Sequence, residues 1–547
     1  MGGDQPMSTE PSRRAFLAKL AAGLAAPLVA TPLAVRAVFG ASPVDAPSLI
    51  GLTNKSGREI VGGFVNDDAT IGHQLRDGTL ARGGSSREVR RTRVAIVGGG
   101  MSGLSAGWRL DQLGLRDWLC LELGDTAGGN SRGGENAISR YPWGAHYVPV
   151  PSPDATHVRA LLREVGVLQA DGSWDERTLC HSPQERLWQH GEWHEGLEPL
   201  DAAPAWERAE WERFDAQVAE WRATGAFRVP LAGAPDSVSG FAAANTRALD
   251  RVSANGWFTS QGYRSPTLRW WIEYGTRDDY GASLTQASAW AAAHYFAGRP
   301  ATEEGPLTWP EGNAFLVNHL TRKAGDRVIT KAPAYAIESR GSRWLVRTPT
   351  LDVECDCVIW AAPLFVLPRV LPTVKLPVNI EYAPWVVANI TLDRRPEERG
   401  APMSWDNVIY GSPSLGYVSA THQFVGRPGP QSVWTWYHAI VDQPSAAART
   451  WLQQRPWSAW RDDIVDELSR AHPNVADCIT RIDVRQWGHA MARPTPGVLT
   501  RNATLARWSP APRMFLAHAD LSGLSLFEEA QWHGVQAAER AARVLGG

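Results

Sequence analysis

Six residues, Gly98-Gly99-Gly100-Met101-Ser102-Gly103, narrow sharply what this chain can become. They follow the apolar run Val94-Ala95-Ile96-Val97 and lead into Leu104-Ser105-Ala106-Gly107-Trp108-Arg109-Leu110, an order that reads strand, tight turn, helix. Gly98 permits the turn, Gly100 lets the backbone approach a pyrophosphate, and Gly103 lets helix and strand pack closely. Met101 and Ser102 open the helix, whose N-terminus offers N–H groups and partial positive charge to that pyrophosphate. A second apolar run, Trp118-Leu119-Cys120-Leu121-Glu122-Leu123, carries Glu122 about 20 residues past the last glycine, where an acid binds a ribose hydroxyl. The alternative, a turn that only packs a helix, does not account for that acid.

The chain has 547 residues, enough for two or three domains. Its net charge of −2 gives no pull toward nucleic acid or an anionic membrane. Most of the 26 tryptophans are expected in the core or between domains, some as walls of an aromatic tunnel. Ser12-Arg13-Arg14-Ala15-Phe16-Leu17-Ala18-Lys19 resembles a twin-arginine export signal, and Val35-Arg36-Ala37 offers a cleavage site. A retained anchor is the alternative, although Pro27 and Pro32 break the helix it needs. The expected partner is the twin-arginine machinery and the expected destination the periplasm. A tightly held flavin suits a dinucleotide site exported already folded; a diffusible nicotinamide does not. Cys120, Cys180, Cys355, Cys357 and Cys478 are odd in number and scattered, and read as core residues. Cys355 and Cys357, two apart in an expected strand, should share one face. His181, His190 and His194 lie in and around a segment, Leu187 to Trp193, that reads as a hairpin, without metal-ligand spacing.

The composition divides the chain into a signal peptide to residue 37, a mostly irregular extension over 38–90, and a first dinucleotide-domain piece over 91–150. A helical, tryptophan-rich segment follows over 151–305. The chain returns to the first domain over 306–370, forms alternating strands over 371–490, and closes with strand, loop and helix over 491–547.

Several separated blocks carry a resemblance. They are the glycine turn with Glu122 and Gly128-Gly129-Asn130-Ser131; Lys331-Ala332-Pro333-Ala334-Tyr335; Cys355 to Pro363; and Met514 to Asp520 with Phe527-Glu528-Glu529-Ala530. Together they resemble the flavin-containing amine oxidase superfamily, which also holds phytoene desaturases and related FAD-dependent oxidoreductases. The resemblance implies an α/β fold: a Rossmann-like FAD-binding domain built from discontinuous segments, plus an α+β substrate domain. It implies that Gly128, Gly129, Asn130 and Ser131 lie against the pyrophosphate, that Ala334 meets the adenine, and that Asp520 holds the ribityl chain. The helix starting near Glu528 would face the flavin pyrimidine, its acidic side chains turned outward. Tyr141 to Pro149 resembles the segment passing the isoalloxazine, with Gly144 and Ala145 allowing close approach and His146 and Tyr147 pointing into the substrate cavity or, for His146, serving structure. Trp487 resembles a family tryptophan that packs on the cofactor, walls the cavity or sits in the core.

Asp278, Asp279 and Tyr280 could hold an ammonium group; the alternative is a solvated loop. Two departures stand out: Asn130 occupies a place where many amine oxidases have arginine, and no lysine stands near Val387-Ala388-Asn389. The implied activity is hydride transfer from a C–N substrate to N5 of noncovalent FAD, with oxygen or an electron carrier as acceptor and a neighbouring His or Tyr helping to deprotonate the amine. The rivals are a desaturase or isomerase of an apolar lipid or carotenoid, and a flavoprotein that binds an exported partner without turnover.

Overall fold

The computed structural model describes residues 59–80, 88–231, 241–299, 305–424 and 429–546. The twin-arginine segment and its cleavage site lie outside the described residues. In chain order the elements begin with β1 (Val61–Phe64), α1 (Asp67–Arg76), β2 (Glu88–Val97), α2 (Met101–Gln112) and β3 (Trp118–Leu121). Three short strands follow, β4 (Gly133–Glu135), β5 (Arg140–Pro142) and β6 (Tyr147–Val148), then α3 (Thr156–Glu164) and the hairpin β7 (Glu185–Gln189) and β8 (Glu192–Glu195). The helical segment holds α4 (Ala205–Ala223), α5 (Phe241–Asp250), α6 (Ala254–Ser260), α7 (Pro266–Tyr280) and α8 (Ala289–Ala297). Next come β9 (Leu307–Thr308), α9 (Ala314–Ala324), β10 (Val328–Ile329), β11 (Ala336–Arg340), β12 (Arg343–Arg347), β13 (Leu351–Trp360) and α10 (Leu367–Val370). The second sheet takes β14 (Tyr382–Leu392), β15 (Asp406–Ile409), β16 (Tyr417–Ser419) and β17 (Ser432–Ala439), then α11 (Ser445–Gln454), α12 (Trp457–Ser469), α13 (Val475–Cys478) and β18 (Ile479–Ala492). The chain ends with α14 (Val498–Arg507), β19 (Met514–Leu516) and α15 (Phe527–Val544).

The fold is mixed α/β, as the sequence implies. β10, β3, β2, β13 and β19 pair in parallel, and β12 and β11 extend the sheet antiparallel. Alternate residues of β2 serve opposite faces: Val94 and Ile96 pack with Ala106 and Leu110 of α2 and Ala537 and Ala541 of α15, while Ala95 and Val97 pack with Val358 and Trp360. Segments from three distant stretches of chain therefore share one core. The second sheet has eight strands in the order β1-β18-β14-β17-β16-β15-β7-β8. One of its core clusters also takes in residues of α4 to α8.

Two findings add to the sequence reading. The described residues 59–80 of the extension carry regular structure: β1 pairs in parallel with β18 at the edge of the eight-stranded sheet, and α1 brings Leu75 to the cleft described below. The Val-Gly-Gly-Phe sequence of β1 has no apolar alternation; its place is set by backbone pairing with β18. Cys355 and Cys357 do not share one core layer. Cys355 clusters with Val353 and Val358, Cys357 with Ile96 and Ile359. Both are buried and unbonded to other cysteines.

Candidate functional site

Where β2 ends, Gly98 takes φ +107°, a left-handed conformation that favours glycine, and its N–H donates to Leu121 O at 2.9 Å. Gly99 N–H donates to Glu122 Oε2 and Gly124 N–H to Glu122 Oε1, each at 2.8 Å. Glu122 thus ties the glycine turn to the end of β3, and a carboxylate keeps lone pairs for a further hydroxyl. Gly128 N–H donates to Gly99 O at 2.8 Å, which sets the second glycine pair beside the first.

These residues open onto a long cleft of about 1540 Å³ including its mouth. Gly98, Gly100, Met101, Ser102, Glu122, Gly128, Gly129, Asn130, Ser131, Ala145, Ala334 and Asp520 all line it. Gly103 does not: a Cβ there would stand 1.9 Å from Gly98 O, so this glycine serves helix–strand packing alone. Gly144 faces Asn130, whose carbonyl would lie 2.3 Å from an added Cβ, and borders a second cavity instead of the cleft.

The residues suit a dinucleotide with a polyol chain. Asp520 is 1% exposed; its Oδ2 accepts from Leu364 N–H at 2.8 Å and from the Tyr382 hydroxyl at 2.6 Å. Its Oδ1 has no hydrogen-bond partner, an acceptor that a ligand hydroxyl would satisfy. His518 Nδ1 lies 3.1 Å from Oδ1, but accepts the Asp520 amide proton. Burial alone would raise the Asp520 carboxyl; His518, Leu364 N–H and Tyr382 outweigh it and hold the group below its usual range. At Gly100 an added Cβ would find nothing nearer than Gly129 Cα at 3.9 Å, so the turn presents bare backbone to the cleft.

One end of the cleft runs into a second cavity of about 820 Å³. Asn130, Ala145, Trp487, Ala490, Ser525, Leu526 and Phe527 line both. The Trp487 indole N–H donates to Trp143 O at 2.9 Å, and Arg485 lies over its ring at 4.2 Å. Trp385, pairing with Trp487 across β14 and β18, adds a second indole wall. His146 stacks on Tyr437 with ring centroids 4.6 Å apart, and the Tyr437 hydroxyl donates to Gly144 O at 2.9 Å. Asn313 donates through Nδ2 to Tyr147 O at 3.1 Å, fixing the segment that passes the border.

The far wall is charged. Asp278 and Asp279 lie in the last turn of α7, not in a solvated loop, because the helix runs to a left-handed Gly281 cap. Asp279 pairs with Arg299 at 2.9 Å, both nearly fully buried. The Tyr147 hydroxyl donates to Asp278 at 3.2 Å. Burial, then Asp278 and Asp279, push the Tyr147 phenol well above its ordinary range, so it is a fixed donor and not the base the sequence suggested. Tyr280 is outside the cavity, its hydroxyl held against His294 Nδ1 at 3.1 Å.

Glu528 and Glu529 are buried, contrary to the expectation that they turn outward. Glu528 lines the second cavity, not the cleft, within the electrostatic reach of Arg299. Glu529 accepts from Ser522 Oγ at 2.6 Å and from Leu231 N–H. Their places come from the tertiary position of Arg299 and Ser522, which no local pattern signals. Arg299, Asn313, Trp385, Tyr437 and Tyr382 escaped sequence reading for the same reason. Among the described residues no group of three or more His, Cys, Asp or Glu could hold a metal ion.

Residues 96–165 match the NAD(P)-binding Rossmann-like domain. No curated protein sequence matches the chain. A putrescine oxidase solved with putrescine bound is similar to it in structure, with 18% identity, a TM-score of 0.62, and 84% of this chain and 100% of that chain covered. Cyclohexylamine oxidase from Brevibacterium oxydans IH-35A gives 16% identity and a TM-score of 0.62, over 83% of this chain and all of that one. A CLA-producing fatty acid isomerase from P. acnes gives 14% identity and a TM-score of 0.57, over 82% and 98% of the two chains. The chain therefore joins a Rossmann-like dinucleotide domain to the same overall fold as these oxidases.

Proposed function

We propose that this protein holds FAD noncovalently in the cleft and is an oxidoreductase of the flavin amine oxidase superfamily that acts on a C–N bond. One observation carries the reading: a cleft suited to a dinucleotide opens at one end into an aromatic cavity that sets, among the described residues, three carboxyls, Asp278, Asp279 and Glu528, against the guanidinium of Arg299. That balance favours a cationic amine over a fatty acid carboxylate. Bound in the cleft, the flavin would supply the two-electron acceptor. The indoles of Trp385 and Trp487 and the ring of Tyr437 exclude water and offer faces to an ammonium group. Arg299 holds Asp279 in place, and Tyr147 orients Asp278. The putrescine-bound neighbour supports an amine substrate; the missing lysine near Val387 removes one means of oxygen activation and favours an electron carrier beside oxygen as acceptor.

Anaerobic addition of aliphatic amines, fatty acids and carotenoids to the purified yellow protein tests this. Bleaching by amines alone is expected, and bleaching by none of them overturns the reading. The proposal includes export through the twin-arginine route. Cell fractionation should find the flavin-loaded protein in the periplasm; a strictly cytoplasmic protein would remove that part.

A further inference from the structure

The cavity holds several groups able to move a proton, and the structure commits most of them elsewhere. The Tyr147 hydroxyl donates to Asp278, and the Tyr437 hydroxyl to Gly144 O. Burial raises both phenols well above their ordinary range, so both stay protonated. Asp279 is held in an ion pair with Arg299 at 2.9 Å, both nearly fully buried. Glu528 is 3% exposed and in the field of the same guanidinium. Asp278 is the half-buried carboxyl of the cavity wall, oriented by the Tyr147 hydroxyl.

We propose that Asp278 takes the proton from the ammonium group of the bound substrate. The inference rests on the amine reading above. The ammonium N–H bond breaks, its electron pair stays on nitrogen as the lone pair that oxidation requires, and an O–H bond forms on Asp278. No oxidant is consumed, and the proton returns to solvent on product release. In water a carboxylate is weaker than an alkylamine by about 6 pKa units. Enclosure by indole and phenol rings disfavours both charged partners and narrows that gap. Arg277 and Asp279 flank Asp278 on α7; Tyr147 and Tyr437 face it from β6 and β17. Across the cavity stand Arg299, Glu528 and His146. His146, stacked on Tyr437 and 5.4 Å from Trp405, is the competing base.

The test is the pH profile of anaerobic flavin reduction by an amine that bleaches the wild-type protein. Asp278→Asn keeps an acceptor for Tyr147 and the yellow colour that reports folding. Its rate at neutral pH should fall by about 100-fold or more. Its acidic limb should move toward the pKa of the amine itself, roughly 10. Tyr147→Phe should only shift the limb upward. A readout without turnover uses tert-butylamine, which has no α-hydrogen. Its binding should raise a protonated-carboxyl infrared band in the wild type that Asp278→Asn lacks. A raised KM with an unmoved limb would make Asp278 an anchor only, and loss of the limb in His146→Gln would assign the proton to His146; either overturns the proposal alone. If no amine bleaches the wild type, the amine reading falls and takes this inference with it.

Discussion

Gly100→Val should give a folded but colourless protein, whereas Gly103→Val should give no folded protein. The two glycines belong to one turn, yet the structure separates their reasons. Gly100 has φ −71°, which any residue adopts, and an added side chain would meet only Gly129 Cα at 3.9 Å. A valine there would project into the cleft. Native circular dichroism and a near-normal melting point are expected, with flavin affinity reduced by up to about 100-fold, since overfilling a close contact costs about 1–3 kcal/mol and each 1.4 kcal/mol is tenfold. At Gly103 the obstacle is backbone: Gly98 O at 1.9 Å, with Ile96 Cγ2 at 3.2 Å. Gly98 is itself bonded to Leu121 and cannot step aside without breaking the turn. Relief would require α2 to lift from β2 and open the layer of Val94, Ile96, Ala106 and Leu110. The cost should exceed about 4–5 kcal/mol, a large share of a domain's whole stability. A well-folded Gly103→Val, or a yellow Gly100→Val, would contradict this account.

Asp520→Ala should lose both the flavin and part of the fold. Removing the carboxylate strands the Leu364 N–H and the Tyr382 hydroxyl in a buried setting. Each unmatched donor costs about 1–3 kcal/mol, so urea melts should register a loss of about 2–6 kcal/mol. Asp520→Asn should lose less, because its amide oxygen still accepts. The pH dependence has a defined sign. The folded carboxyl is held below its usual range, so the anionic form stabilises the fold. That contribution is present above the unfolded value, about 3.9, and is lost as pH falls through the lower folded value. The stability gap between wild type and Asp520→Asn should therefore close on acidification below about pH 4. A gap that widened in acid would refute the assigned ionisation.

Much of the first sheet was legible because its signals are local. The turn at Gly98, the run of Val94 to Val97 and, in the second sheet, the hairpin around His190-Gly191 each depend on neighbours in the chain, and the structure places them as read. The blocks around Ala334 and Asp520 reach the same cleft as the glycine turn. Legibility failed where partners are distant. For Asp278 and Asp279 the sequence left an ammonium site and a solvated loop both open, because Tyr147, more than a hundred residues earlier, and Arg299, beyond the next helix, were invisible as neighbours. Glu528 and Glu529 looked as if they must point outward because a helix start usually presents acids to water; Arg299 and Ser522 hold them inside.

The sequence by itself determined a strand–turn–helix able to approach a dinucleotide and an acid at the right spacing behind it. These follow from backbone sterics and apolar periodicity, which act over a few residues. Only the tertiary structure decided that the cleft continues into a cavity with one charged wall, that Tyr147 donates instead of accepting a proton, and that β1 completes the second sheet. Those outcomes depend on burial and on the charges brought alongside, and both exist only once distant segments have packed together.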